Sequence, residues 1–355
     1  MSSWAAVAMR RLVMAAAVLF ALASATFWIN QGIPYDAGRF LLGSLSRPTP
    51  AQVQEANERL GVDRPALEQY GSFLASLARG DLGLSWASVT WDPQEDTLVG
   101  DPVLPIVLRA AAVTGSLVLG GALVLVLFAL PLGPFLATRA GSALDRSVLL
   151  LTLVFVSTHP LVTGLMLQLI LGRKLGLLPD SGYCPLFTTE TDADGFSCGG
   201  PLAWFTHLVL PWLSFALLFL ALYLRQIRTQ SLAILQETYV MVARAKGATE
   251  RRVLHHHVVP GVMVVVVTMV AMDVGTALGI ALFIEVVYGL PGLGRLLMVA
   301  VQGEFGYDRP VIVGIVLVAG TAVIVVTAVA DLLIAVIDPR VRSSLRRSGR
   351  VDAGS

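Results

Sequence analysis

Six apolar runs, each long enough to cross a lipid bilayer as a helix, limit this chain more than any other feature. They cover residues 12–29, 107–137, 148–171, 204–224, 261–287 and 311–337. A hydrocarbon core about 30 Å thick takes roughly 20 residues of helix to cross. Lipid offers no hydrogen-bond partners, so the backbone of each run must satisfy itself, which means helix. The reading is an all-α polytopic membrane protein with six transmembrane helices. Composition agrees: 55% of residues are hydrophobic and 14% charged, with a mean hydropathy of +0.75. An average soluble domain carries roughly 25% charged residues. A disordered chain, a nucleic-acid binder and an ordinary soluble enzyme are excluded.

The cations between the runs set the expected orientation. Residues 30–105 carry ten acids against five arginines, and residues 172–203 carry Arg173 and Lys174 against Asp180, Glu190, Asp192 and Asp194. Both segments read as outside. Arg10 and Arg11, then Arg139 and Arg146, then six cations in residues 225–260 and five arginines in the tail fall on the other side. Both termini are therefore expected in the cytoplasm. The first run, with Ala21, Ala23 and Ala25 near its end, also resembles a secretory signal, but it exceeds the usual core of about 7–15 residues and is read as a retained span. The chain divides into residues 1–29 (cytoplasmic end and first span), an outer segment 30–105, a core 106–340 and a basic tail 341–355. The core includes the outer loop 172–203 and a cytoplasmic loop 226–260.

Outside the spans, Thr49-Pro50-Ala51-Gln52 is a capping box with proline at the first helical position, and Gly61 stands where a helix should end. A second helix is expected after Pro65, with Leu67, Tyr70, Phe73, Leu74 and Leu77 on one face. These helices form either a packed cap or a docking surface for a partner protein. Residues 86–102 read as a loose loop. Cys184 and Cys198, both on the outer side, favour a disulfide, and closing a 15-residue loop stabilises by about 3 kcal/mol. A lone C-x13-C without neighbouring histidines is a weak zinc signal.

The loop between the fourth and fifth runs is the most informative stretch. Residues 226–246 lack Gly and Pro and read as one helix, which Gly247 breaks in the left-handed conformation. A second helix runs to about residue 259, where Pro260 leads into the fifth run. Two short helices joined by glycine make a knob. Ala243, Ala245 and Gly247 keep one face small, and Arg244, Lys246, Arg251 and Arg252 ring it with positive charge. A basic loop that only sets topology and binds lipid headgroups is the alternative.

This stretch, Glu237-x-Tyr239-Val-x-x-Ala243-Arg244-Ala245-Lys246-Gly247, resembles the coupling loop of bacterial binding-protein-dependent ABC importers, in the form of the peptide branch. The resemblance extends through Thr49 to Pro65, Gly80 to Gly83, Leu177 to Gly182, Glu285 to Leu296 and Asp331 to Arg342. Two departures stand out: Met241-Val242-Ala243 replaces the general Glu-Ala-Ala, and His257-Val258-Val259-Pro260 replaces I-x-L-P. The resemblance implies a type I importer permease subunit in a bacterial inner membrane, not itself an enzyme. It implies a second, similar permease, two cytoplasmic ATP-binding subunits and an extracytoplasmic substrate-binding protein as partners, with lipid around the spans. It implies peptides as cargo, although relatives carry nickel or glutathione, and alternating access as the mechanism. ATPase coupling would fall on residues 237–254, with Glu237, Tyr239, Ala243, Arg244, Ala245, Lys246, Gly247 and Arg251 as its residues. It implies no cofactor on this chain, ATP and Mg2+ being held by the partners. Consistently, no G-x-x-x-x-G-K-[ST] motif occurs.

Acids inside spans are functional candidates by default. Asp273 and Glu285 are candidates for the translocation path, with bonding to a neighbouring helix the alternative for Asp273, and Gly275 with Gly279 forms a G-x-x-x-G suited to close helix packing. His255, His256 and His257 are consecutive, so on a helix they diverge and form no metal site. Pro160, after His159, is expected to kink the third span. An intramembrane enzyme lacks its Ser/His, Asp/Asp or H-E-x-x-H set, and an ion-coupled secondary transporter lacks a visible inverted repeat.

Overall fold

The computed structural model describes residues 3–32, 42, 49–92, 97–187, 189–191, 197–302 and 307–337. The 338–342 part of the C-terminal signature, the basic tail, and Asp192, Asp194 and Gly195 lie outside the described residues. In chain order the elements are α1 (Ser3–Gln31), α2 (Pro50–Leu60), α3 (Ala66–Ala78), β1 (Thr90–Asp92), β2 (Thr97–Val99), α4 (Val103–Thr138), α5 (Ala143–Ser157) and α6 (Pro160–Leu167). A π-helical turn, Gln168–Lys174, prolongs α6. Then come β3 (Thr189–Thr191), β4 (Ser197–Gly199), α7 (Pro201–Leu235), α8 (Thr238–Ala245), α9 (Glu250–Val253), a π-helical Leu254–Val258, α10 (Val259–Tyr288), α11 (Leu293–Gln302) and α12 (Arg309–Ile337). The two antiparallel hairpins, β1–β2 and β3–β4, qualify the all-α expectation, and the first replaces the loose loop read at 86–102.

Among the described residues, five helices are long and apolar enough to span: Val13–Gln31, Val103–Thr138, Pro201–Leu235, Glu250–Tyr288 and Arg309–Ile334. The third run is a broken pair, α5 and α6, bent by 111°. The kink expected at Pro160 is a full break. Proline pushes the preceding residue out of the helical region. His159 accordingly adopts φ −63° and ψ 141° and caps α6, its side chain accepting the Leu161 N–H at 3.3 Å.

The chain forms two compact units, residues 1–113 with 291–324, and residues 114–290 with 325–355. In the first, Ala23 of α1 packs on Val313 and Leu317 of α12, and Phe73, Leu77 and Leu82 close over them. Phe27 stacks on Phe73 and leans on Tyr70, with ring centroids 5.4 and 5.2 Å apart. Thus α3 lies with its apolar face on α1, although Leu67, expected on that face, is 74% exposed. The Thr49–Gln52 capping box forms, and Gly61 ends α2 at φ 70°. Buried Asp308 accepts Ser85 Oγ at 2.6 Å and the Ala87 N–H at 3.2 Å, tying the chain just before β1 to the head of α12.

The second unit is built around α7. A Cβ at Gly120 would lie 2.1 Å from the Trp212 indole, at Gly121 2.6 Å from the Phe215 ring, and at Gly133 2.4 Å from Ile227 Cγ2. These glycines let α4 lie directly on α7, and Trp212 Nε1–H donates to the Ser116 carbonyl at 2.9 Å. From the far side Asp145 of α5 takes Arg228 of α7 in a bidentate pair at 2.7 and 2.7 Å. Asp145 is 2% exposed, so the acid read as a loop charge is a buried cross-link.

Candidate coupling site

The knob is set up by three local devices. The helix expected over 226–246 is interrupted: α7 ends at Leu235, and Glu237, at φ −67° and ψ 143°, opens α8. Neither Gly nor Pro marks that break. Val240 of α8 and Val253 of α9 are fully buried, while most other side chains of the two helices are exposed. Gly247 then reverses the chain at φ 85°, and Ala248 N–H donates to the Ala243 carbonyl at 3.1 Å. A Cβ on Gly247 would touch nothing within 4 Å among the described residues, so glycine is needed there for its left-handed backbone rather than for space.

Across this turn the Arg244 guanidinium grips Glu250 twice, Nε to Oε1 at 2.8 Å and Nη2 to Oε2 at 3.1 Å. Thr249 caps α9 by accepting the Arg252 N–H at 3.4 Å. Sequence reasoning did not single out Glu250 or Thr249 as parts of the knob. The second departure concerns Pro260. The π-helical turn carries the helix through it, with the Val259 N–H donating to the Leu254 carbonyl, so α9, the turn and α10 run on as one helix, Glu250–Tyr288. Proline costs a helix one hydrogen bond, and a local π turn absorbs that loss.

The outward face of the knob is apolar in the middle and basic at its edge. Tyr239, Met241 and Val242 are 50%, 53% and 46% exposed. Lys246, Arg251 and Arg252 are exposed beside them, and Ala243 is half-buried while Ala245 is open. Tyr239 also meets His257 edge-on at 5.8 Å. His255 and His256 are exposed and do not converge with His257 on a metal site.

The remaining candidates lie elsewhere. Asp273 accepts the Tyr223 hydroxyl at 2.9 Å. It is the one charged residue on the wall of a cavity of about 60 Å³, otherwise lined by residues such as Leu125, Phe215, Phe219 and Val274. Glu285 is fully buried, accepts Thr114 Oγ1 at 2.5 Å and does not line that cavity, so the two acids assigned to one path are not brought together. Gly275 and Gly279 sit on an exposed face of α10 with nothing within 4 Å among the described residues. Cys184 and Cys198 are disulfide-bonded, with Cα atoms 5.2 Å apart. Asp180, in the 177–182 stretch, holds Arg173 at 2.9 Å, and that hydrogen bond keeps its carboxyl below the usual carboxylate range.

Residues 129–343 match the family of binding-protein-dependent transport system inner membrane components, and residues 6–89 match its N-terminal part. The chain belongs to that family. A protein of Brucella suis biovar 1 named as a peptide permease is 33% identical over 94% of this chain and 98% of its own. The di/tripeptide transport system permease protein DppB of Pseudomonas aeruginosa is 30% identical, covering 94% and 97%. The permease thus sits on the peptide branch of ABC importer permeases. Its fold is similar to a chain of the MetNI methionine ABC transporter solved in an inward-facing conformation. The TM-score is 0.51 at 18% identity, over 68% of this chain and all of that one.

Proposed function

We propose that this permease is the translocating subunit of a peptide importer and that its 237–254 knob is the handle by which partner ATPases move it. The observation that carries this reading is the braced turn. A left-handed Gly247, a guanidinium–carboxylate clamp and two buried valines make a rigid body, and an exposed apolar centre with a basic rim gives a partner something to hold. A loop that only set topology would need none of these. The names of the relatives support peptides as cargo, and the charge pattern supports six spans with both termini in the cytoplasm and α1 retained as a span.

In the proposed cycle, ATP closes two partner ATPases, which draw this knob and that of a second permease together. The spans then open toward a docked substrate-binding protein, and hydrolysis resets the inward state. The open Gly275–Gly279 face is the proposed contact with the second permease, and Asp273 faces the path. ATP and Mg2+ belong to the partners, and this chain catalyses nothing.

The test is Gly247→Leu in the assembled complex. A branched side chain at φ 85° is strained, and it falls where a partner must approach. The chain should reach the membrane in normal amount while substrate-stimulated ATPase activity falls to the unstimulated level. Normal stimulation in that variant would sink the handle.

A further inference from the structure

Cys184, Cys198 and His207 bring their ligand atoms within 4.8 Å of one another, the only such group among the described residues. None of the three belongs to the knob or to the Asp273 cavity. The sequence separates His207 from Cys198 by a loop and the first two turns of α7, and folding supplies the histidine that the C-x13-C spacing lacked. Cys184 Sγ stands 3.5 Å from Nδ1 and 3.7 Å from Nε2 of that ring. Ligands around a tetrahedral zinc, at bonds of about 2.0–2.3 Å, stand roughly 3.3–3.8 Å apart.

Two features prepare the group for a metal. His207 Nδ1 lies 2.8 Å from the Ala203 carbonyl, which only accepts, so Nδ1 carries the proton and Nε2 keeps its lone pair. That is the orienting bond found behind metal-bound histidines. The two cysteine segments are also held together by the backbone, independently of the sulfurs. Gly200 N–H donates to the Pro185 carbonyl at 2.9 Å, and β4 pairs Cys198 opposite Glu190. Cys184, at 1% exposure, has its sulfur aimed into this corner.

We propose that, in its thiol form, this cluster is a zinc site, with Cys184 Sγ, Cys198 Sγ and His207 Nε2 as ligands and one position left for a further donor. Disulfide and metal are then alternative occupants of the same side chains. Binding of Zn2+ by two thiols releases two protons. Closing the disulfide instead releases two protons and two electrons, taken by a disulfide oxidant that becomes a dithiol. A newly made chain carries thiols, so metal loading before oxidation needs no reductant.

The experiment uses the full-length permease in detergent, one half reduced with a phosphine under nitrogen and one half oxidised. Both are loaded with Zn2+, desalted and measured for bound zinc, with Co2+ absorption as a second reading. The reduced protein should retain about one zinc per chain and give the intense band of tetrahedral thiolate-bound Co2+. The oxidised protein should retain none. His207→Ala should still form its disulfide on oxidation, which reports that it is folded, and should bind zinc roughly tenfold or more weakly. Zinc in the reduced protein no higher than in the Cys184→Ser, Cys198→Ser double variant would overturn the proposal. So would a folded His207→Ala that binds as the parent does, or a Co2+ spectrum without thiolate bands.

Discussion

Glycines on α4 and on α10 have opposite surroundings. Gly120, Gly121 and Gly133 are filled against by Trp212, Phe215 and Ile227, whereas Gly275 and Gly279 face nothing among the described residues. Both sets lie in long apolar helices of the second unit, so composition does not tell them apart. In lipid there is little hydrophobic drive between helices, and small residues earn their place by letting another backbone come close. The first set has its partner within the chain. The second has none among the described residues, and this exposed face is the one proposed above as the contact with a second permease.

The sharpest break in this comparison tests the packed side. Asp145→Ala would leave Arg228, with 21% of its side chain exposed, without its carboxylate, and losing one partner of a buried pair costs about 3–5 kcal/mol. The thermal midpoint of the purified permease should drop accordingly. Gly121→Ala comes next. Its methyl would meet the Phe215 ring at 2.6 Å, and overpacking of that kind costs about 1–3 kcal/mol. Gly275→Leu with Gly279→Leu should leave the midpoint of the isolated chain unchanged or raised, since nothing among the described residues crowds them and leucine is the better helix former. The same pair should abolish co-purification of the second permease. If instead it destabilises the isolated chain as much as Gly121→Ala, the contrast between α4 and α10 is false.

The smallest effect concerns pH. Asp180 is held below its ordinary value of 3.8 by Arg173, so its contribution is complete above that value. It is lost as pH falls through the lower folded value. Asp180→Asn should therefore lower the unfolding midpoint slightly at neutral pH, where the contribution is complete, and change little well below about pH 4, so that the midpoint falls less steeply with acid than in the parent.

The apolar runs were legible because most residues of a span must suit lipid; among the described residues five of the six form helices long enough to span, and the third is a bent pair. The caps of α2 were legible because Thr49, Pro50, Gln52 and Gly61 act within one turn of their own positions. Interruptions without Gly or Pro were not. The α7–α8 break at residues 236–237 and the π turn at 254–258 carry no local marker, and the read-through at Pro260 reversed the expectation. Gly120 and Gly121 gave no signal because Trp212 and Phe215 are more than ninety residues away along the chain. His207 was visible as a residue, but its approach to Cys184 depends on how the hairpin meets α7. In the candidate coupling site, the motif singled out Arg244 and Gly247, while Glu250, which completes the clamp, lies outside the motif and was not singled out.

The helix from Glu250 to Tyr288, carried through its π turn, has 39 residues, which at 1.5 Å per residue is a shaft about 58 Å long. If a partner grips α9 as proposed, a continuous shaft of that length would act like an oar, carrying a sweep at its foot to the levels of Asp273 and Gly275–Gly279. The proline at its base is bridged rather than broken, and that keeps the shaft in one piece.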